Sequence, residues 1–125
     1  MKRTILSENG PPAKGPYSHA VAHGNLIFLA GQGPVDAETG NVVHGDLETE
    51  AALTLNNLET VLNDCGSSLD KVLKVTVFLS NMDDFARFNE VYKRFFKSDF
   101  PARTCVQAGR LPFDIKVEIE AIATL

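Results

Sequence analysis

Four residues near the C-terminus have side chains that could carry chemistry: Arg103, Cys105, Glu118 and Glu120. Arg103 offers a planar fork of donors able to hold a carboxylate bidentately, and a carboxyl such as Glu118 can move protons once its pKa is tuned. The same pair is compatible with a plainer arrangement, a cross-strand or intersubunit ion pair, since structural pairs outnumber catalytic ones. Cys105 would be a nucleophile only as a thiolate, which needs a base beside it. His19, His23 and His44 all fall in the N-terminal half, and none is placed near Cys105 by sequence. A small hydrophobe or a pocket wall is the reading favoured for Cys105. His19 and His23 stand four apart on an expected strand, which is not a metal-ligand spacing, so no metal is expected. Glu120 reads most simply as an interface or solvent carboxylate.

Overall charge narrows the partners. Sixteen acids against twelve bases leave −4 on a chain of 125 residues, a balance that repels a phosphate backbone. No Lys/Arg stripe with interleaved aromatics is present, so a single-strand groove is not expected. Apolar runs fall far short of the roughly 20 residues that cross a bilayer, and no membrane association is expected. Thr4, Ser7, Glu8 and Asn9 interrupt the apolar stretch that a secretory signal needs. Only Cys65 and Cys105 are available for disulfides, too few for a framework. These features predict a cytoplasmic protein, and the length predicts one domain over residues 1–125.

The elements that must position these residues follow from periodicity and punctuation. Residues 1–6 suit a short strand, and the glycines and prolines between Gly10 and Pro16 then forbid regular structure. Ser18–His23 and Leu26–Gln32 flank Gly24-Asn25, a two-residue connection suited to a hairpin. Asp36 to Gly40 supplies a turn, and Asp46 can cap a helix. Leu47, Ala51, Leu55, Leu58, Leu62 and Cys65 form one helical stripe that Gly66 ends. Val72–Leu79 reads as a strand with Leu73, Val75, Val77 and Leu79 on the buried face. Asn81 can cap a second helix with the stripe Phe85, Phe88, Tyr92 and Phe95, stopped before Pro101. Strands over Ala102–Gln107 and Lys116–Leu125 complete the order βββαβαββ, an α+β domain of about six strands with both helices on one face.

The opposite face is the informative one. Val117, Ile119, Ala121 and Ala123 suit the helices, so Glu118 and Glu120 must point away from them. In the preceding strand Val106 is the better helix-facing candidate, which predicts that Arg103, Cys105 and Gln107 share the open face with Glu118. That face mixes Lys74, Thr76 and the two acids with Val72, Phe78 and Ile122, a composition that subunit association would cover.

Five segments resemble the RidA (YjgF) family in order and spacing. They are Gly15-Pro16-Tyr17-Ser18-His19-Ala20, Ala30-Gly31-Gln32, Asn89-Glu90-Val91-Tyr92, Pro101-Ala102-Arg103-Thr104-Cys105 and Val117-Glu118-Ile119-Glu120-Ala121-Ile122-Ala123. The most specific element is an Arg-x-Cys strand followed thirteen residues after the Cys by the first Glu of Val-Glu-Ile-Glu-Ala. The resemblance spans essentially the whole chain.

It implies a chorismate-mutase-like subunit assembled as a homotrimer with clefts between neighbours. It also implies hydrolysis of reactive 2-imino acids or their enamine tautomers, such as 2-iminobutanoate and 2-iminopropanoate, to the 2-keto acid and ammonia, with no cofactor. By this resemblance Arg103 anchors the substrate carboxylate and Glu118 handles protons. The backbone around Cys105 and Gly31 lines the pocket, and Tyr17 and Asn89 help close it. Plain loop packing for Tyr17 and an exposed helix position for Asn89 are the alternatives. The family has also been associated with single-stranded RNA cleavage and translation inhibition, and a non-catalytic carboxylate-binding or chaperone trimer is a third class. His19, Ala30, Gly33 and Phe113 depart from the residues frequent at their positions, Gln, Ser, an aliphatic and Lys respectively, which leaves the substrate range open.

Overall fold

Gly24, at φ +57, and Asn25 make the tight connection expected of them and start the sheet. In a computed structural model describing residues 1–125, strands β1 (Arg3–Ile5), β2 (Ala20–His23) and β3 (Leu26–Gln32) precede helix α1 (Leu47–Asp64). Strand β4 (Val72–Leu79), helix α2 (Phe85–Phe95) and strands β5 (Ala102–Gln107) and β6 (Val117–Thr124) follow. The strands form one six-stranded sheet in the order β1-β2-β3-β6-β4-β5. All neighbours are antiparallel except β4 and β5, which the α2 crossover makes parallel.

Helix α1 begins and ends where its sequence signals stand. The Thr49 amide donates to Asp46 Oδ1 at 2.8 Å, and Gly66 adopts φ +81 just past the last turn. Leu47, Ala51, Leu55, Leu58 and Leu62 are all buried against the sheet, where they meet Val117, Ile119, Ala121 and Ala123 of β6 in one contiguous core. Asn81 caps the single 3-10 turn Met82–Asp84 that leads into α2, accepting from the Asp83 amide at 2.9 Å. Helix α2 then buries Phe88, Val91 and Tyr92, while Phe85 stays partly exposed and Phe95 half-buried. No helix is long and apolar enough to cross a membrane.

Two face assignments are corrected by the register. Leu73 is not on the buried face: it is 48% exposed, and Val72 is buried in its place. The pairing of β4 with β6 slips between Val72 and Lys74, and a bulge there reverses the alternation for the residue preceding it. The second correction concerns β5. Arg103 and Cys105 lie beside Val75 and Val77 in the parallel ladder, and in-register neighbours share a face. Val75 and Val77 are completely buried beneath the helices, so Arg103 and Cys105 point to the helix side and Val106 to the open side, where it is 41% exposed. The helix-facing position of Arg103 is polar because its guanidinium rests on the aromatic rings of α2.

One carboxylate that the sequence pattern did not single out ties the start of α1 to the segments that precede α1 and β6. Glu50 in the first turns of α1 is fully buried. Its Oε1 accepts from the Lys116 amide at 2.8 Å, and its Oε2 accepts from the Gly45 amide and Lys116 Nζ, both at 3.1 Å. Glu50→Ala would leave the Gly45 and Lys116 amides without their acceptor and Lys116 Nζ with the Gly45 carbonyl alone, and the expected loss is about 3 to 5 kcal/mol in a urea unfolding titration. A loss under about 1 kcal/mol would show that water replaces the carboxylate.

Candidate active site

Glu118 on β6 points away from the helices and lies against Gly31 of β3. A Cβ at Gly31 would sit 2.5 Å from Glu118 Oε2, so any other residue would displace the carboxylate. The β3–β6 register shifts between Leu29 and Gln32, which sets Gly31 at this close approach. Burial first, and then the Glu120 charge on the same face, push the Glu118 carboxyl above the ordinary glutamate range. Such a group exchanges protons closer to neutral pH than a solvated glutamate does.

Glu118 and Gly31 open into a cavity of about 500 Å³, walled by the loop carrying Pro11, Pro12 and Tyr17 and by Phe113 and Ile115. Tyr17 is tied down at its hydroxyl, which accepts from the Lys14 amide at 3.2 Å. His19 holds the outer loop. Its buried ring takes the Ser7 amide on Nδ1 at 2.9 Å and presents Nε2 to the Pro11 carbonyl at 2.7 Å, the pattern of a neutral imidazole protonated at Nε2. No three His, Cys, Asp or Glu side chains converge in a metal-binding cluster.

Arg103, Asn89 and Cys105 form a second group on the other side of the sheet. Arg103 Nη2 donates to Asn89 Oδ1 at 2.9 Å. The guanidinium carbon stands 4.6 Å from the Tyr92 ring centroid, with Phe85 at 5.7 Å and Phe88 at 6.0 Å. None of the chain's ion pairs involves Arg103, in contrast to Arg87 and Arg110, which are both paired with carboxylates. A cation oriented by aromatic faces and one amide, with most of its donors free, is able to take an anion. Beside it opens a cavity of about 320 Å³ lined by Asn89, Tyr92, Lys93, Phe100, Pro101 and Arg103.

Cys105 is half-buried next to this group, and burial pushes its thiol up, against the opposing pull of the Arg103 charge. The neutral thiol is therefore dominant at neutral pH, which fits a wall better than a nucleophile. The expected placement of Arg103 and Glu118 on a shared face is corrected here, and no ion pair joins them within the chain. Phe78 is the residue opposite Glu118 on β4, on the face away from the helices, while Arg103 is in register with Val75, beneath them.

Tyr92 is the member of the Arg103 group that the sequence pattern assigned only to packing. Burial pushes its phenol up to about 12 despite the Arg103 charge, and its hydroxyl is buried without a hydrogen-bond partner. Its position one helical turn from Asn89, at i and i+3, was the available signal that both serve one side of α2.

A two-helix α+β sheet with an unpaired arginine on its edge strand and a half-buried carboxylate beside a glycine bulge defines a small RidA-type protein. The chain belongs to the RidA/YjgF family: the family model described as Endoribonuclease L-PSP matches residues 7–125. It is 43% identical over 126 residues to the 2-iminobutanoate/2-iminopropanoate deaminase of Escherichia coli (strain K12), covering 98% of each chain. It is 48% identical over 123 residues to a RutC family protein of Pyrococcus horikoshii, again covering 98% of both. Among solved structures, E. coli TdcF with bound serine superposes with a TM-score of 0.92 at 41% identity, covering 98% of each chain. The E. coli YjgF gene product does so with a TM-score of 0.91 at 42% identity and the same coverage.

Proposed function

We propose that this protein hydrolyses 2-imino acids and their enamine tautomers, such as 2-iminobutanoate and 2-iminopropanoate, to 2-keto acids and ammonia. The active site would combine the Arg103 group of one subunit with the Glu118 group of another. The observation that carries this reading is the division of the six candidate residues into complementary halves: Arg103 lacks an anion and Glu118 sits in a cavity without a cation anchor of its own. Lys14 also lines that cavity, but its ammonium donates to the Gly40 carbonyl and lies against the Phe113 ring. The relative named as a 2-iminobutanoate/2-iminopropanoate deaminase supports the reading.

The chemistry assigned to each group is conservative. Arg103 binds the substrate carboxylate and fixes the C=N carbon. Water adds to that carbon of the protonated imine, the C=N π electrons move to nitrogen, and the proton lost by the water passes to the Glu118 carboxylate. Glu118 then returns this proton to the amine of the carbinolamine. The C–N bond breaks as the hydroxyl oxygen forms the ketone, and its proton leaves with ammonia as ammonium. No covalent enzyme intermediate forms, and Cys105 supplies bulk and backbone.

Assembly is part of the same proposal. The open face of the sheet exposes Leu26, Phe28, Leu73 and Val106, an apolar surface that association would remove from water. A homotrimer is expected, and static light scattering at micromolar concentration should return three times the chain mass. A monomer would leave Arg103 and Glu118 on opposite faces and end the two-subunit site.

The function itself is tested by generating the imine in place with an amino-acid oxidase and following keto acid and ammonia after addition of the protein. The same preparation is incubated with single-stranded RNA. Accelerated imine loss with intact RNA is expected; RNA cleavage without imine turnover would favour the endoribonuclease activity in the family's description.

A further inference from the structure

We propose that Phe113 adapts this site to 2-imino acids with large apolar side chains, an inference that rests on the imine-hydrolysing reading above. An imine carbon carries three groups. With the carboxylate on Arg103 of a neighbouring subunit and the nitrogen near Glu118, the side chain is the group left to enter the cavity that Glu118 borders. That cavity measures about 500 Å³, a volume in the range that accommodates ligands far larger than a methyl or ethyl group. Its walls around Glu118 are chiefly apolar: Pro11, Pro12, Tyr17, Phe113 and Ile115. Lys14 is already engaged by Gly40 and Phe113, so the cavity offers a charged side chain no free partner besides the reacting carboxyl.

Phe113 is held there in a conformation that an aromatic residue rarely adopts. Its backbone lies in the left-handed region at φ 62 and ψ 15, and Asp114 follows at φ 57. The turn is over-determined by its surroundings. The Asp114 amide donates to the Leu111 carbonyl at 3.0 Å, and Arg110 clamps the Asp114 carboxylate with Nε at 2.8 Å and Nη2 at 3.3 Å. Lys14 Nζ lies 5.6 Å from the Phe113 ring centroid, on the opposite lip.

The strain is not offset by burial, because the Phe113 side chain remains 56% exposed. A core residue held this way would gain from packing, and a surface turn would be better served by glycine or asparagine. The chain instead presents an aromatic ring at the cavity wall facing Tyr17 and the proline loop. An apolar group entering between them would cover the ring and exclude water from Glu118.

The experiment uses the assembled protein and imines generated from alanine, leucine and phenylalanine. The readout is the ratio of kcat/KM for each bulky imine to that for the alanine-derived one. The parent ratio is expected to be about tenfold or more, within the range that an apolar pocket supplies. Phe113→Gly should reduce it about tenfold while raising Tm, since glycine relieves the left-handed backbone. Phe113→Leu, which keeps apolar bulk, should retain an intermediate ratio. A parent ratio near one, or a ratio equal in the parent and Phe113→Gly, would overturn the assignment of Phe113. If the parent turned over none of the three imines, the failure would be that of the imine reading, and this inference would fall with it.

Discussion

Under the proposed imine hydrolysis, Glu118→Gln is expected to lower kcat by roughly 10²-fold or more, while Cys105→Ser is expected to change it by only a few-fold. The amide keeps the shape that fits against Gly31, where Glu118 Oε2 lies 2.5 Å from the Cβ position, but it cannot carry a proton between water and nitrogen. Cys105 has its thiol pushed up by burial and no base beside it, so serine preserves most of what it contributes. The pH dependence separates these roles further. Burial and Glu120 raise the Glu118 pKa, so a rate that needs the carboxylate should fall, as pH drops, at a higher pH than an ordinary glutamate would dictate. That limb should vanish in Glu118→Gln.

Stability carries the opposite sign from activity. A folded-state pKa raised above the unfolded one favours the protonated native state. The resulting stabilisation is fully present below the unfolded pKa and is lost as pH rises through the folded value. At neutral pH the charged Glu118 therefore weakens the fold, and Glu118→Gln should melt at a higher temperature than the parent, with the difference closing in acid. Thermal unfolding across pH 4 to 8 checks this. An inactive Cys105→Ser, an active Glu118→Gln and a covalent adduct on the thiol by mass spectrometry would move the chemistry to a cysteine nucleophile.

The element order was legible because its punctuation is explicit. Asp46 and Gly66 bracket α1, and Gly24-Asn25 permits only a tight hairpin. The alternation of β6 was equally plain, since Val117, Ile119, Ala121 and Ala123 are all buried and Glu118 between them is turned away. What escaped was whatever depends on pairing between strands. A bulge at Leu73 leaves no compositional trace, and it exchanged Leu73 for Val72 on the buried face. On β5 the apolar Val106 was a poor guide because the helix side of an edge strand is occupied by Arg103, whose guanidinium rests on the rings of α2. The residue types of the candidate site could thus be read from the sequence, but its division between two faces could not. That division rules out an ion pair between Arg103 and Glu118 within the chain and leaves the two groups on separate faces of the sheet.

Arg103→Ala is expected to remove most of the activity toward imino acids. Truncating a desolvated charge partner costs about 2 to 5 kcal/mol, or roughly 30-fold to several thousand-fold in kcat/KM. The effect should fall mainly on catalysis, because Arg103 is paired with no carboxylate within the chain, and only its contacts with the α2 rings and Asn89 are lost to the fold. A circular dichroism melt close to that of the parent would separate the two. Arg103→Lys should rescue poorly. Lysine keeps the charge but lacks the planar fork that stacks on Tyr92 at 4.6 Å and spends one donor on Asn89 at 2.9 Å while leaving others free. Asn89→Ala, which removes the only side-chain acceptor orienting that fork, should produce a smaller loss seen mainly in KM. If Arg103→Lys matched the parent, carboxylate binding would not be bidentate, and a single positive charge on the edge strand would be enough to hold the substrate.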